Sequence, residues 1–318
     1  MCLVKTVVFS QIGRGRRMQV AIIGLGSIGQ RHLHNLLRLG VDRIIGCDPK
    51  VRSLVFEPDV APYVDKVSFR LDYRGILGEI DAAFICTPPA SHIPIALKCA
   101  EAGLHLFIEK PLSNSLDGVA ALRKVVEDKR IRVQMGFSWR FHPEIAELCW
   151  QMIDEKFGKR LFLSIVGGSY LPDWREGDYR DSYSASREEG GVILDCFSHA
   201  FDLAEWLLME WLGQIVVWKD HSTTLEIGAE DMATALAKTS SGTHVVIHEN
   251  YLAKLPWFEI TVVGTEKVVS IHPQAINEMY VAEARRFVDG IKKGIGYNAG
   301  PDLMDGIRNL KLCLEARG

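Results

Sequence analysis

The sequence predicts an α/β chain: an amino-terminal, doubly wound parallel sheet followed by an α+β domain with an open antiparallel sheet. Short apolar runs alternate with amphipathic helical stretches from Gln19 to Phe137. Near Arg140 that alternation ends, and from Gln214 to Ile271 strand follows strand with no helix between. A chain of 318 residues is long enough for two cores.

Val20-Ala-Ile-Ile23 is a continuous apolar run, as a parallel strand covered on both faces requires. Gly24, Gly26 and Gly29 follow in G-x-G-x-x-G spacing, with Ser27 and Ile28 opening a helix whose apolar side is Leu33, Leu36, Leu37 and Leu39. Free N–H groups at the start of that helix can face a pyrophosphate. A second apolar run, Ile44 to Cys47, ends on Asp48, where an acid can accept the hydroxyls of an adenosine ribose. Strand, glycine turn, helix, strand and acid in this order predict a dinucleotide site for NAD or NADP. Asp48 favours NAD by repelling a 2′-phosphate, although Lys50 and Arg52 stand just beyond it.

Residues 49–66 carry no assignable pattern. Strands are expected at Asp81–Thr87, His105–Ile108 and Ile131–Phe137, and helices at Ser91–Ala102 and Ser115–Asp128. The second domain begins with a helix from Pro143, a strand over Arg160–Tyr170 and a polar, aromatic loop over Leu171–Glu189. A helix over Gly191–Leu208, five strands and two closing helices, Asn277–Lys293 and Pro301–Arg317, complete it. The expected division is thus an extension over residues 1–17, disordered; a first domain over 18–139; and a second over 140–318, its last helix packing back on the first.

A net charge of -3 and the lack of any basic domain argue against nucleic acid as a partner. No apolar run approaches the ~20 residues a bilayer span needs. Seven scattered cysteines, never in a C-x-x-C pair, suit reduced thiols in the cytoplasm and no metal site.

Ligands bind beyond the carboxyl ends of the strands in such sheets. Thr87 with Pro88, and Glu109 with Lys110, fall on that edge, so Lys110 is a candidate to stand beside a nicotinamide. Asp195 and His199 lie four apart on an expected helix and share one face. Spacing alone favours a pair that merely anchors the helix over an acid that orients a proton-exchanging imidazole. In the loop from Tyr170 to Tyr183, Trp174, Arg180 and Tyr183 are candidate substrate contacts, since rings stack on sugars and arginine bonds hydroxyls or a carboxylate.

The chain resembles the Gfo/Idh/MocA oxidoreductases. The resemblance is carried by Gly24-Leu-Gly-Ser-Ile-Gly29 with Arg31-His32, by Thr87-Pro88-Pro89-Ala-Ser-His92 and by Glu109-Lys110-Pro111. It continues through Met135 to Pro143, Gly190-Gly191…Asp195…His199, Glu230-Asp231, Gly264-Thr265 and the helix from Asn277. It implies a Rossmann domain, a cofactor site that includes His92, and a lysine, aspartate and histidine acting together, here Lys110, Asp195 and His199. It further implies a homo-oligomer, dimer or tetramer, through the open sheet. Lys267 stands where the family commonly has a glycine, and the stretch from Ile271 to Asn277 is shorter than usual. The expected activity is hydride transfer between NAD(P) and a secondary alcohol or ketone of a sugar, polyol, sugar acid or related carbohydrate. A catalytically silent dinucleotide-binding regulator and an NAD-dependent, redox-initiated lyase are the alternatives.

Overall fold

The computed structural model describes residues 18–56, 61–222, 224–294 and 300–318; the expectation for residues 1–17 lies outside them. The chain divides into two compact units, one containing the residues up to Gly136 together with Tyr280–Ile307, the other Phe137–Met279 with Arg308–Gly318.

The first unit is built on a six-stranded parallel sheet: β1 (Gln19–Ile23), β2 (Arg43–Cys47), β3 (Ser68–Arg70), β4 (Ala82–Ile85), β5 (His105–Glu109) and β6 (Val133–Gly136). The strand order is β3-β2-β1-β4-β5-β6, so the order reverses beside β1 and opens a crevice at its carboxyl end. Helices α1 (Ser27–Arg38), α2 (His92–Glu101) and α3 (Val119–Lys129) make the crossovers. The doubly wound parallel sheet expected from the sequence is the one observed.

One placement differs. The sequence reading puts everything after Trp139 in the second unit and returns only the last helix. In the structure it is chiefly α6 (Asn277–Lys293) that joins the first unit. The cause is its apolar face: Ala284, Phe287, Val288 and Ile291 enter the core formed by Val20, Ile22, Leu33, Phe84 and Phe107. Phe84 and Phe107 stack at 4.5 Å, and Phe287 meets both edge-on.

The second unit carries α4 (Pro143–Ile153) and a six-stranded sheet: β7 (Arg160–Tyr170), β8 (Leu212–Asp220), β9 (Met232–Thr239), β10 (His244–Asn250), β11 (Leu252–Gly264) and β12 (Val268–Ile271). Its order is β12-β11-β7-β10-β9-β8. The expectation of an antiparallel sheet needs correction, because β7 and β10 pair in parallel and the sheet is mixed. The long excursion from Tyr170 to His244 lets the chain re-enter beside β7 in the same direction, which a tight hairpin could not do. Helix α5 (Ser198–Leu208) packs on one face over Leu163, Ile165, Val245 and Ile247, all buried. Arg140 clamps it through Asp202 (2.6 and 2.8 Å), and Arg308, on α7 (Leu303–Arg317), through Glu205 (2.7 Å).

Candidate active site

The candidate nucleotide-binding residues lie in the first unit. Gly24 adopts φ +93°, and a Cβ there would come within 2.7 Å of the Cys86 carbonyl oxygen, so only glycine makes this turn. Gly29 faces the Gly24 carbonyl so closely that any side chain would collide with it. At Gly26 the space is open, which suits the approach of a pyrophosphate to the backbone. Helix α1 starts at Ser27 with no side-chain cap and no acid in its first turn. Its first N–H groups, with Ser27 and Ile28, are therefore left to a ligand anion. Asp48 accepts the N–H of Leu25 (2.9 Å) and of Lys50 (2.7 Å), which fixes its carboxylate at the end of β2, where a ribose would lie. These residues fit a dinucleotide.

Two further turns stand on the same edge. Thr87 follows β4; its hydroxyl accepts from Ser91 (2.7 Å), and Pro88 leads into a short 3₁₀ turn, Pro89–Ser91, that precedes α2. His92 is buried. Its Nε2 lies 2.6 Å from the Thr87 carbonyl and its Nδ1 2.9 Å from the Pro111 carbonyl, so the ring stands between the turn after β4 and the turn after β5, and its neutral form donates to one of them. Burial pushes this imidazole below its usual pKa. Glu109 ends β5, and Lys110 follows it, partly exposed at the carboxyl edge of the sheet.

Asp195 and His199 belong to the second unit. Asp195 is buried and sits in a π-type turn, Ile193–Phe197, that opens directly into α5. The regular α-helix expected from Gly191 is thus widened where the candidate acid stands. Glu230 holds the entry: its backbone carbonyl accepts Val192 N–H (3.1 Å) and its side chain accepts Ile193 N–H (3.3 Å). Both oxygens of Asp195 take hydroxyls, Oδ1 from Tyr183 (3.0 Å) and Oδ2 from Ser184 (2.7 Å). His199 lies in the first turn of α5, half-buried.

The loop candidates separate. Trp174 lines a cavity of about 320 Å³ with Arg175, Glu176, Asp178, Tyr179, Asp181 and others of its loop. Its indole N–H donates to Ser169 (2.9 Å), and its ring meets Tyr251 edge-on. Arg180 is engaged elsewhere: its guanidinium bonds Asp178 and Glu226, which raise its pKa further. Tyr183 carries a role that sequence reasoning did not give it, as a donor to Asp195. Ser184 and Glu230 were missed as site residues. Ser184 had no signal beyond a serine in a polar loop, whereas Glu230 stood in a recognised motif. Among the described residues no cluster could hold a metal ion, and no helix is long and apolar enough to cross a membrane.

Residues 18–137 match the model described as "Oxidoreductase family, NAD-binding Rossmann fold", and residues 150–270 match "GFO/IDH/MocA C-terminal domain". The chain belongs to the GFO/IDH/MocA oxidoreductase family. Its first unit is that family's NAD-binding domain. Among curated relatives, scyllo-inositol 2-dehydrogenase (NAD(+)) of Bacillus subtilis is 28% identical over 60% of this chain and 54% of its own length. An inositol 2-dehydrogenase of Rhizobium meliloti is 26% identical over 74% of this chain and 77% of its own. An uncharacterised oxidoreductase of B. subtilis, 30% identical, is likewise matched over 54% of its length, so the chain spans about half of some relatives. Among solved structures, a probable dehydrogenase from Thermotoga maritima superposes with a TM-score of 0.82 at 22% identity, covering 94% of this chain and 96% of its own. A myo-inositol dehydrogenase from Corynebacterium glutamicum gives 0.79 at 20% identity, covering 95% and 96%. Both likenesses concern the fold.

Proposed function

We propose that this GFO/IDH/MocA member is an NAD-dependent dehydrogenase acting on a secondary alcohol of a neutral polyol or sugar, or on the corresponding ketone. The observation that carries the reading is Lys110, set at the carboxyl end of β5 on the edge that also bears the glycine loop. When bound, the nicotinamide supplies or accepts the hydride. Lys110 bonds the reacting oxygen and stabilises the charge that develops there. His199 exchanges the hydroxyl proton, and Asp195 orients the imidazole; such proton transfer contributes about 10² to 10⁴ in rate. Asp48 supports NAD over NADP, because a second negative group beside its carboxylate would be repelled.

The cavity behind Trp174 supports a neutral substrate over a sugar acid. Its lining carries Glu176 and Asp181 against Arg175, while Asp178 is compensated by Arg180, which Glu226 engages as well. A carboxylate would enter a field of its own sign. The names of the curated inositol dehydrogenases agree with a polyol. We also place the protein in the cytoplasm, on its six free described cysteines. A homo-oligomer through the second sheet is supported by the exposed Val216, Trp218, Leu236 and Val268 on that sheet's strands.

The test is a panel of inositols, neutral sugars and sugar acids incubated with NAD and followed at the nicotinamide absorbance band, repeated in single turnover with K110A and H199N. Cofactor reduced in step with product establishes the dehydrogenase, and unchanged rates in both variants overturn the assigned roles. NAD binding with no reduction by any compound indicates a regulator. Product without net reduced cofactor indicates a redox-initiated elimination.

A further inference from the structure

The turn that carries Lys110 is gripped from both sides by buried imidazoles from α1 and α2, the helices that follow the turns after β1 and β4 on the same sheet edge. After the lysine, the Pro111 carbonyl lies on His92, from the start of α2. Before it, Glu109 is 7% exposed and its carboxylate receives two donors at once. His32 Nε2 lies 2.7 Å from Oε1, and the backbone N–H of Lys110 donates to Oε2 at 3.2 Å. His32 stands in the second turn of α1, the helix whose amino end is the glycine loop. It is 0% exposed, caged by Phe107 at 4.9 Å, Phe84 at 5.3 Å and Tyr280 at 6.4 Å. Gly136, on β6, leaves the room for the carboxylate, since a Cβ there would come within 2.8 Å of Oε2.

We propose that His32 is a positioning residue: by holding Glu109 it fixes the Lys110 N–H, and so the direction in which the lysine side chain leaves β5. The proposal rests on the dehydrogenase reading for what Lys110 does, though the linkage itself stands on the geometry. Packing alone does not account for it. Inside a cage of aromatic rings a leucine would fill the space without the cost of burying an imidazole against a carboxylate. The ring's other nitrogen, Nδ1, is buried with no hydrogen-bond partner among the described residues, a further cost that an apolar residue would not bear. The acceptor must be a carboxylate because two N–H donors converge on it, and an amide could accept from one only while turning its NH₂ toward the other.

Three variants and two readouts test this. Glutamine at 32 can place a donor near the position of Nε2, whereas asparagine falls short. H32N is expected to lower kcat by about 10- to 100-fold, as a displaced catalytic group does, with the NADH dissociation constant changed less than about threefold. H32Q should recover most of that rate. In a K110A background H32N should add less than about a twofold loss, because a residue acting through Lys110 has nothing left to position. Hydrogen exchange of the Lys110 amide, followed on the apo protein, should speed up in H32N and not in H32Q. E109Q keeps the shape of the site and should reproduce both effects of H32N if that variant does not fold. An H32N or E109Q rate equal to that of the parent, or an H32N loss that persists in full without Lys110, overturns the proposal. A K110A rate equal to that of the parent overturns the dehydrogenase roles instead, and unchanged exchange at Lys110 then still decides against the linkage.

Discussion

The turn that carries Lys110 is held by groups from regular elements, α1, α2 and β5, whereas the carboxylate of Asp195 is held by two hydroxyls from an irregular segment. Around Lys110 the fasteners are His32 and His92, both buried. Around Asp195 they are Tyr183 and Ser184, from the segment that also lines the acidic cavity. The difference has a consequence for how each half can vary. The strand that leads to the lysine and the helix that follows the nucleotide loop share one packed core, through Phe107 and Leu33. The loop over Leu171–Glu189 cannot change freely with respect to Asp195, because the two hydroxyls that its carboxylate accepts, those of Tyr183 and Ser184, belong to it.

The severest break is expected in the regular half. Gly24→Val forces a β-branched residue into φ +93° against the Cys86 carbonyl, and the loop must move. NADH affinity should fall at least about 100-fold, the equivalent of some 2.7 kcal/mol. A fluorescence titration of a variant checked as folded by circular dichroism measures it. Retained affinity would mean that the loop's shape does not depend on this turn.

Next in size is the irregular half. Removing both hydroxyls with the Y183F and S184A double substitution leaves the buried Asp195 without these two donors. The cost of under-satisfied charge predicts a loss of about tenfold or more in kcat, with NADH affinity unchanged. Pre-steady-state rates together with NADH titration separate the two effects. If kcat held while NADH affinity fell, the contrast between the halves would be wrong.

The same contrast explains what could be read in advance. The glycine loop, α1, β2 and the turns after β4 and β5 are encoded by short-range periodicity and by glycines and prolines whose placement has few structural solutions. The role of His32 was not legible because its partner Glu109 lies 77 residues away and meets it only once the sheet has formed. Tyr183 and Ser184 are nearer Asp195 in sequence, but an irregular segment has no period from which to infer a facing. The π-type turn at Asp195 hides in a sequence whose apolar spacing suits an α-helix equally well. Strand β3 is three residues long at a sheet edge, too short to register as a pattern. The parallel pairing of β7 with β10 was invisible because alternation reports which face is buried and not which way a neighbour runs.

Acid should expose the first unit's reliance on buried imidazoles. Burial pushes His92 and His105 below their usual value of 6.5, and Arg132 adds to the effect at His105. Below that value the unfolded chain takes up protons that the folded one refuses, so stability present above it is lost as the pH falls toward the depressed values. The melting temperature should drop by a few degrees between about pH 7 and pH 5. His105→Asn keeps an acceptor for the Arg132 N–H, which His105 Nδ1 takes at 3.0 Å, and removes the titration. It should flatten part of the drop, and a parallel decline in that variant would assign the loss to other groups.

The smallest effect is expected at Arg180, and it sharpens the comparison most finely. Its guanidinium already serves Asp178 and Glu226 on an exposed surface, where such pairs add little stability and are screened by salt. Arg180→Ala should therefore leave the melting temperature within a degree or so and the KM of a neutral polyol within about threefold. The sign for an anionic substrate is opposite to intuition. Removing Arg180 frees Asp178 to add its full charge to the cavity wall it lines, so a sugar acid that turns over at all should bind more weakly still. Steady-state KM for one neutral and one acidic compound, measured at low and high salt, tests both halves. A tenfold rise for the neutral polyol would place Arg180 on the substrate itself and make the loop a direct hydroxyl reader rather than a charged wall.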